Sequence, residues 1–187
     1  MKIAIFASGT GSNAVKIIEH FKDKPQYEFV VLSNKKDAPV LEKAQKLKID
    51  THTFDRKGFY ETENVVDFLK AQNVDFVVLA GFLWLIPENL IRLFPNKIIN
   101  LHPALLPKYG GKGMFGSRVH EAVIEAKEQE SGITIHYVNG KYDDGQIILQ
   151  AKCNITEEDT PESLAQKIHQ LEYFYLPKTI EKLIKNW

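Results

Sequence analysis

The sequence predicts an α/β protein: a mostly parallel sheet flanked by helices, with a C-terminal antiparallel addition. Three observations carry this. Short apolar runs of strand length alternate with helix-period segments through the first hundred residues. A glycine-rich turn joins the first run to the first helix. Beyond residue 117 the order changes to a helix followed by two strands around a turn-rich segment.

Residues 2–7 are continuously apolar after Lys2, as in a strand buried on both faces, and Val15, Ile17, Ile18 and Phe21 follow at helical spacing. A second strand over 29–32 leads to a helix over 39–47, with Pro39 near the start, where a missing N–H costs little. Residues 51–54 read as a short third strand. Val65, Phe68 and Leu69 mark the next helix, 75–80 a strongly apolar strand, 87–93 a helix and 97–101 a fifth strand. Residues 102–116 hold two prolines and four glycines, an irregular segment of the kind that often carries function. A helix over 117–127 precedes strands at 133–138 and 146–151, separated by the turn-rich 139–145. Thr160, Pro161 and Glu162 cap a last helix with Leu164, Ile168 and Leu171 on one face; Pro177 is expected to kink or divide it. No repeat or linker-like stretch interrupts the chain, so a single domain over 1–187 is expected.

The 187 residues carry 24 Lys and Arg against 24 Asp and Glu, for zero net charge. There is no general pull toward nucleic acid or anionic lipid; neither is expected as a partner, and phosphate binding has to come from a local site. Cys153, the single cysteine, cannot close an intramolecular disulfide, which favours a reducing, cytoplasmic location. Residues 1–7 lack the layout of a secretory signal, and the longest apolar stretch, 76–86, is shorter than the roughly 18 to 20 residues of a membrane span.

Ser8-Gly9-Thr10-Gly11-Ser12-Asn13 lies between a strand and a helix, where backbone N–H groups and the helix dipole can meet an anion. Ser12 and Asn13 add possible caps. Gly9, Gly11 and Ala14 also satisfy a loose Rossmann-like dinucleotide fingerprint, so an NAD(P)-binding module is an alternative. The acid expected after the second strand is replaced by Ser33-Asn34-Lys35-Lys36, whose lysines could instead receive a 2′-phosphate. A tight turn without a ligand is the plainer reading.

Asn100 and His102 are two apart at the carboxyl end of the fifth strand, so they project to one side, where open α/β sheets place ligands. An amide donor beside a group that titrates near neutrality suits oxyanion stabilisation and proton movement. Asp143, in Asp143-Asp144-Gly145, could orient His102 and raise its pKa, or simply make an Asx turn.

With Ala80-Gly81-Phe82, Asn100-Leu101-His102-Pro103-Ala104-Leu105-Leu106-Pro107 and Gly132-Ile133-Thr134-Ile135-His136-Tyr137-Val138 running on to Asp143-x-Gly145, the sequence resembles the folate-dependent formyltransferases, especially those of purine biosynthesis. The resemblance implies the formyltransferase fold and transfer of formyl from the co-substrate 10-formyltetrahydrofolate to the amine of glycinamide ribonucleotide, with no metal. It implies catalysis by Asn100, His102 and Asp143; phosphate binding by Gly11, Ser12 and Asn13; and substrate contacts around His169, Gln170, Leu171 and Glu172. Folate would be held by Leu83, Trp84, Leu85 and Ile86, by Asn139, Gly140, Lys141, Tyr142 and Asp143, and by Lys57 near its acidic tail. Trp84 stands where relatives can carry a basic residue, the 108–116 loop is longer than usual, and Gly140 replaces an often acidic or bulky position. A folate hydrolase is the alternative within the family, although that relative and the one acting on tRNA carry further domains for which this length leaves no room. A monomer or homodimer is expected.

The remaining histidines read plainly. His20 and His52 suit a helix surface and a strand or loop, and His120 suits a helix beneath the glycine-rich loop. His136 faces away from Ile133 and Ile135, either toward the site or toward solvent. Cys153 reads as a small strand residue rather than a nucleophile.

Overall fold

The computed structural model describes residues 1–185. They fall into two compact units, Met1–Ile99 with Val138–Gly140, and Asn100–Tyr137 with the chain from Lys141 on.

The first unit contains β1 (Lys2–Phe6), α1 (Ser12–Phe21), β2 (Glu28–Ser33), α2 (Pro39–Lys46), β3 (Asp50–Thr53), α3 (Arg56–Tyr60), α4 (Asn64–Ala71), β4 (Val74–Leu79), α5 (Glu88–Leu93) and the start of β5 (Ile98–His102). The strand order is β3-β2-β1-β4-β5. β1 pairs in parallel with β2 and β4, with Ile3 opposite both Phe29 and Phe76, and β2 pairs in parallel with β3. Parallel neighbours need crossover connections, which the intervening helices supply. Ile3, Ala4, Ile5 and Phe6 are all fully buried, which explains an apolar run without alternation. Phe6, Leu32, Leu69, Leu79 and Phe82 belong to one continuous core, each such side chain contributing about 1.5–3 kcal/mol by burial.

α3 was not anticipated. Its five residues have no apolar period; the signal is the cap, the Asp55 side chain accepting the Gly58 N–H at 2.7 Å.

The second unit contains the rest of β5, α6 (Ser117–Glu125), β6 (Glu130–Tyr137), β7 (Ile147–Asn154) and α7 (Pro161–Ile184), in the strand order β5-β6-β7 with β6 and β7 antiparallel. α6 and α7 pack on each other, and α7 also packs on β6 and β7. Thr160 caps α7 in a reciprocal bond with Ser163, as expected. Pro177, however, neither ends nor divides the helix, which runs unbroken for 24 residues. Leu164, Ile168, Glu172, Leu176, Ile180 and Ile184 are buried at four-residue spacing on either side of it, so packing carries the helix through Pro177 despite the local cost of proline. Leu171 is half-buried beside this stripe, and Glu172 takes the inward position instead.

No helix among the described residues is long and apolar enough to cross a membrane.

Candidate active site

The catalytic candidates meet within the second unit. Asn100 and His102 leave β5 on the same side, and His102 is 3% exposed. The β6–β7 turn then delivers Asp143. A Cβ on Gly145 would overlap the Tyr137 carbonyl, so only glycine lets the chain turn this closely. Asp143 itself is left-handed, at φ 52°, a conformation Asp tolerates better than most residues. Just before the turn the β6/β7 register shifts between Ile135 and His136, an irregularity of the type that re-aims a side chain.

His102 Nε2 lies 2.7 Å from the Tyr109 carbonyl, an acceptor only, so Nε2 carries a proton. Its Nδ1 lies 3.5 Å from Asp143 Oδ2, which also accepts the Gly111 N–H at 3.0 Å. Asn100 Nδ2 donates to Asp143 Oδ1 at 3.2 Å and lies 3.1 Å from His136 Nε2. The carboxylate fixes this amide orientation, since a flipped oxygen would face another acceptor. His136 Nδ1 lies 2.8 Å from the Tyr137 carbonyl, an acceptor only, so Nδ1 carries a proton, and Nε2 stands 3.7 Å from Asp143 Oδ1.

Burial pushes the His102 pKa down, Asp143 and the Tyr109 carbonyl push it up, His136 opposes them, and the net is a value below the ordinary 6.5. The sequence-based expectation of a raised value is therefore corrected: the carboxylate acts in that direction, but desolvation outweighs it. For Asp143, burial raises the pKa, yet His136, His102 and the Gly111 N–H together hold it below the ordinary carboxylate value. The resting arrangement is a buried carboxylate beside an imidazole that gains a partner when protonated.

His136 is 1% exposed and belongs to this network, which settles its open reading in favour of the site. Thr134, which was unforeseen, braces the loop before Tyr109: its hydroxyl donates to the Ala104 carbonyl and accepts the Leu106 N–H. Alternation along β6 put both residues on one face; the partners brought by residues 104–111 were not readable.

The glycine loop lies in the first unit. Gly11 is the N-cap of α1 at φ 69°, and a Cβ there would overlap Val40, so this glycine is required by packing as well as conformation. Neither Ser12 nor Asn13 caps the helix: Gly11 holds that position without a side-chain bond, and Ser12 is the first helical residue. The first-turn N–H groups, which have no intrahelical acceptors, remain suited to an anion. Ser8 Oγ accepts the Leu83 N–H at 3.2 Å, tying this loop to the 83–86 segment.

Leu83 is exposed, Trp84 and Leu85 are half-buried and Ile86 is buried. Trp84 packs among Phe54, Phe59, Tyr60 and Phe82, with ring centroids 5.6–6.3 Å away. Tyr60 Oη donates to the Leu85 carbonyl at 2.9 Å. Lys57 is exposed on α3, and its neighbour Arg56 stacks its guanidinium over Tyr60. Asn139 is half-buried and Gly140 exposed in the first unit; Lys141 and Tyr142 are exposed in the second.

On α7, His169 and Gln170 are exposed and His169 stacks on Tyr173, whereas Glu172 is 6% exposed. A surface carboxylate, the plainer reading of Glu172, is thereby excluded. Cys153 is half-buried on β7, and burial pushes its thiol pKa up, consistent with an unreactive strand residue. Among the described residues, no three or more His, Cys, Asp or Glu side chains group to hold a metal ion.

A model of the family described as formyl transferase matches residues 1–180. The chain belongs to the formyl transferase family. It is 44% identical over 180 residues to the chloroplastic phosphoribosylglycinamide formyltransferase of Arabidopsis thaliana, covering 92% of this chain and 61% of that protein. The chain spans the same 61% share of the counterpart from Vigna unguiculata. The phosphoribosylglycinamide formyltransferase of Haemophilus influenzae is 38% identical over 96% of this chain and 85% of its own length. The crystal structure of the Bacillus halodurans phosphoribosylglycinamide formyltransferase superposes with a TM-score of 0.87 at 36% identity, covering 98% of this chain and 95% of the other. The formyltransferase fold anticipated from the sequence is thus the fold found. Membership of the formyl transferase family also favours formyl chemistry over the dinucleotide alternative, which the acid-free end of β2 already weakened.

Proposed function

We propose that this chain transfers the formyl group of 10-formyltetrahydrofolate to the primary amine of glycinamide ribonucleotide, in the route to IMP, releasing formylglycinamide ribonucleotide and tetrahydrofolate. The observation that carries the reading is the buried His102–Asp143 pair with Asn100 attached to the same carboxylate, in a member of the formyl transferase family.

The folate supplies an activated formyl carbon. In the balanced reaction the amine nitrogen bonds to that carbon, its bond to N10 breaks, and one proton passes from the amine to N10. His102 meets the developing oxyanion as imidazolium, with Nδ1–H toward Asp143 and Nε2–H shared between the oxyanion and the Tyr109 carbonyl. Asn100 supplies a second donor by exchanging one of its two amide contacts. Asp143 stabilises the imidazolium and relays the proton, with water. Gly11, Ser12 and Asn13 hold the substrate phosphate and Glu172 its amine or ribose hydroxyls, with His169, Gln170 and Leu171 bordering that end. Leu83 through Ile86 and the 139–143 turn receive the pteridine, and Lys57 its acidic tail. The residues of 1–187 act as one catalytic domain, in a reducing cytoplasm.

Thermal stabilisation tests the assignment. Glycinamide ribonucleotide and a folate analogue are expected to raise the melting temperature, and NAD and NADP to leave it unchanged. Selective stabilisation by the dinucleotides overturns the proposal.

A further inference from the structure

We propose that Glu128 is a positioning residue for His102: by gripping the Tyr109 side chain, it fixes the main-chain carbonyl that receives the His102 Nε2 proton. The inference rests on the reading of His102 as the acid of the reaction and adds a residue outside the assigned site. Tyr109 Oη donates to Glu128 Oε1 at 2.9 Å, and Lys108 Nζ donates to the same oxygen at 2.8 Å. The Tyr109 carbonyl in turn lies 2.7 Å from His102 Nε2. Two residues further, the Gly111 N–H holds Asp143 Oδ2. The segment from 109 to 111 thus grips both members of the His–Asp pair, one by a carbonyl and the other by an amide.

Tyr109 makes this contact from a left-handed backbone at φ 55°, which L side chains rarely adopt. Such conformations persist where surrounding contacts over-determine them. Thr134 and Gln150 tether the chain up to Leu106, and the Glu128 clamp holds the Tyr109 side chain beyond it. Lys108 is 67% exposed, and its ion pair alone would count for little; the hydroxyl–carboxylate bond is the part that reaches His102.

The charged or titratable groups facing His102 are Asp143 from the β6–β7 turn, His136 from β6 and His120 from α6. Releasing Tyr109 removes none of these groups, whereas the carbonyl's upward push on the imidazolium is lost. The His102 pKa therefore falls, and the alkaline limb of turnover moves to lower pH.

The test uses the full chain with Tyr109→Phe, Glu128→Ala and Glu128→Gln, checked for unchanged melting temperature. Nitrogen-15 NMR of His102 in the free protein is expected to show a lower pKa and loss of the fixed Nε2–H tautomer in the first two variants. Turnover is expected to fall about tenfold in kcat with KM nearly constant, and Tyr109→Phe on top of Glu128→Ala to add nothing. Glu128→Gln, whose amide oxygen still accepts the tyrosine hydroxyl, is expected to restore the wild-type signals. Wild-type His102 signals in Tyr109→Phe and Glu128→Ala, or a Gln variant as impaired as Ala, overturn the proposal. Because the NMR readout needs no turnover, shifted signals with unchanged kcat uphold the clamp and reject instead the catalytic reading of His102.

Discussion

His102 Nδ1 and Asp143 Oδ2 stand 3.5 Å apart, and their side chains are only 4% and 10% exposed. At that burial the carboxylate is the main source of stabilisation for an imidazolium. Asp143→Asn is expected to keep the fold and lower kcat about 10²- to 10⁴-fold, the range of a lost acid–base partner, with KM little changed. His102→Ala is expected to fall in the same range. Steady-state kinetics on both variants checks this, and near-normal turnover in either removes that residue from catalysis.

The central strands were readable because β1 and β4 are buried on both faces and so leave uninterrupted apolar runs. Asn100 and His102 were readable because a strand's period of two fixes their common side. The tilt of the balance at His102 was not: its low pKa follows from burial by residues far apart in sequence, a quantity no motif contains. Glu172 was legible only through the family resemblance. In hindsight it is the one charge in an otherwise apolar row at 164, 168, 172, 176, 180 and 184, a pattern hidden by centring the face on Leu171. α3 escaped because a five-residue helix held by a cap has no period to detect.

The Gly145 turn leads to a second prediction. Gly145→Ala drives a methyl group into the Tyr137 carbonyl and is expected to cost about 2 kcal/mol or more, a backbone effect at a special position. Since the same turn aims Asp143, residual folded protein is expected to lose turnover as well. Urea denaturation and kcat measured together test it; an unchanged midpoint contradicts the close approach.

The buried histidines set the pH dependence of stability. His102 and His120 both have folded pKa values below the ordinary 6.5, burial being the leading cause. Groups with depressed values contribute stability that is complete above the unfolded pKa and lost as pH falls through the folded one. The urea midpoint is therefore expected to hold above pH 6.5 and decline on acidification below it. A His102→Asn, His120→Asn double variant is expected to flatten that decline. A wild-type midpoint that rises between pH 6.5 and 5 contradicts the sign.

Glu172→Gln, isosteric and uncharged at a buried position, is expected to raise KM for glycinamide ribonucleotide about tenfold while leaving KM for the folate unchanged, as one charge-assisted contact is lost. Equal changes in both constants, or none, remove Glu172 from the amine substrate's site.

The most direct measurement is tetrahydrofolate formation by the purified protein, followed by absorbance, with each substrate supplied alone and then both together. Formyl transfer predicts product only when 10-formyltetrahydrofolate and glycinamide ribonucleotide are both present, in equal amounts with formylated amine. Tetrahydrofolate released at the same rate without the amine would identify a hydrolase and contradict the account.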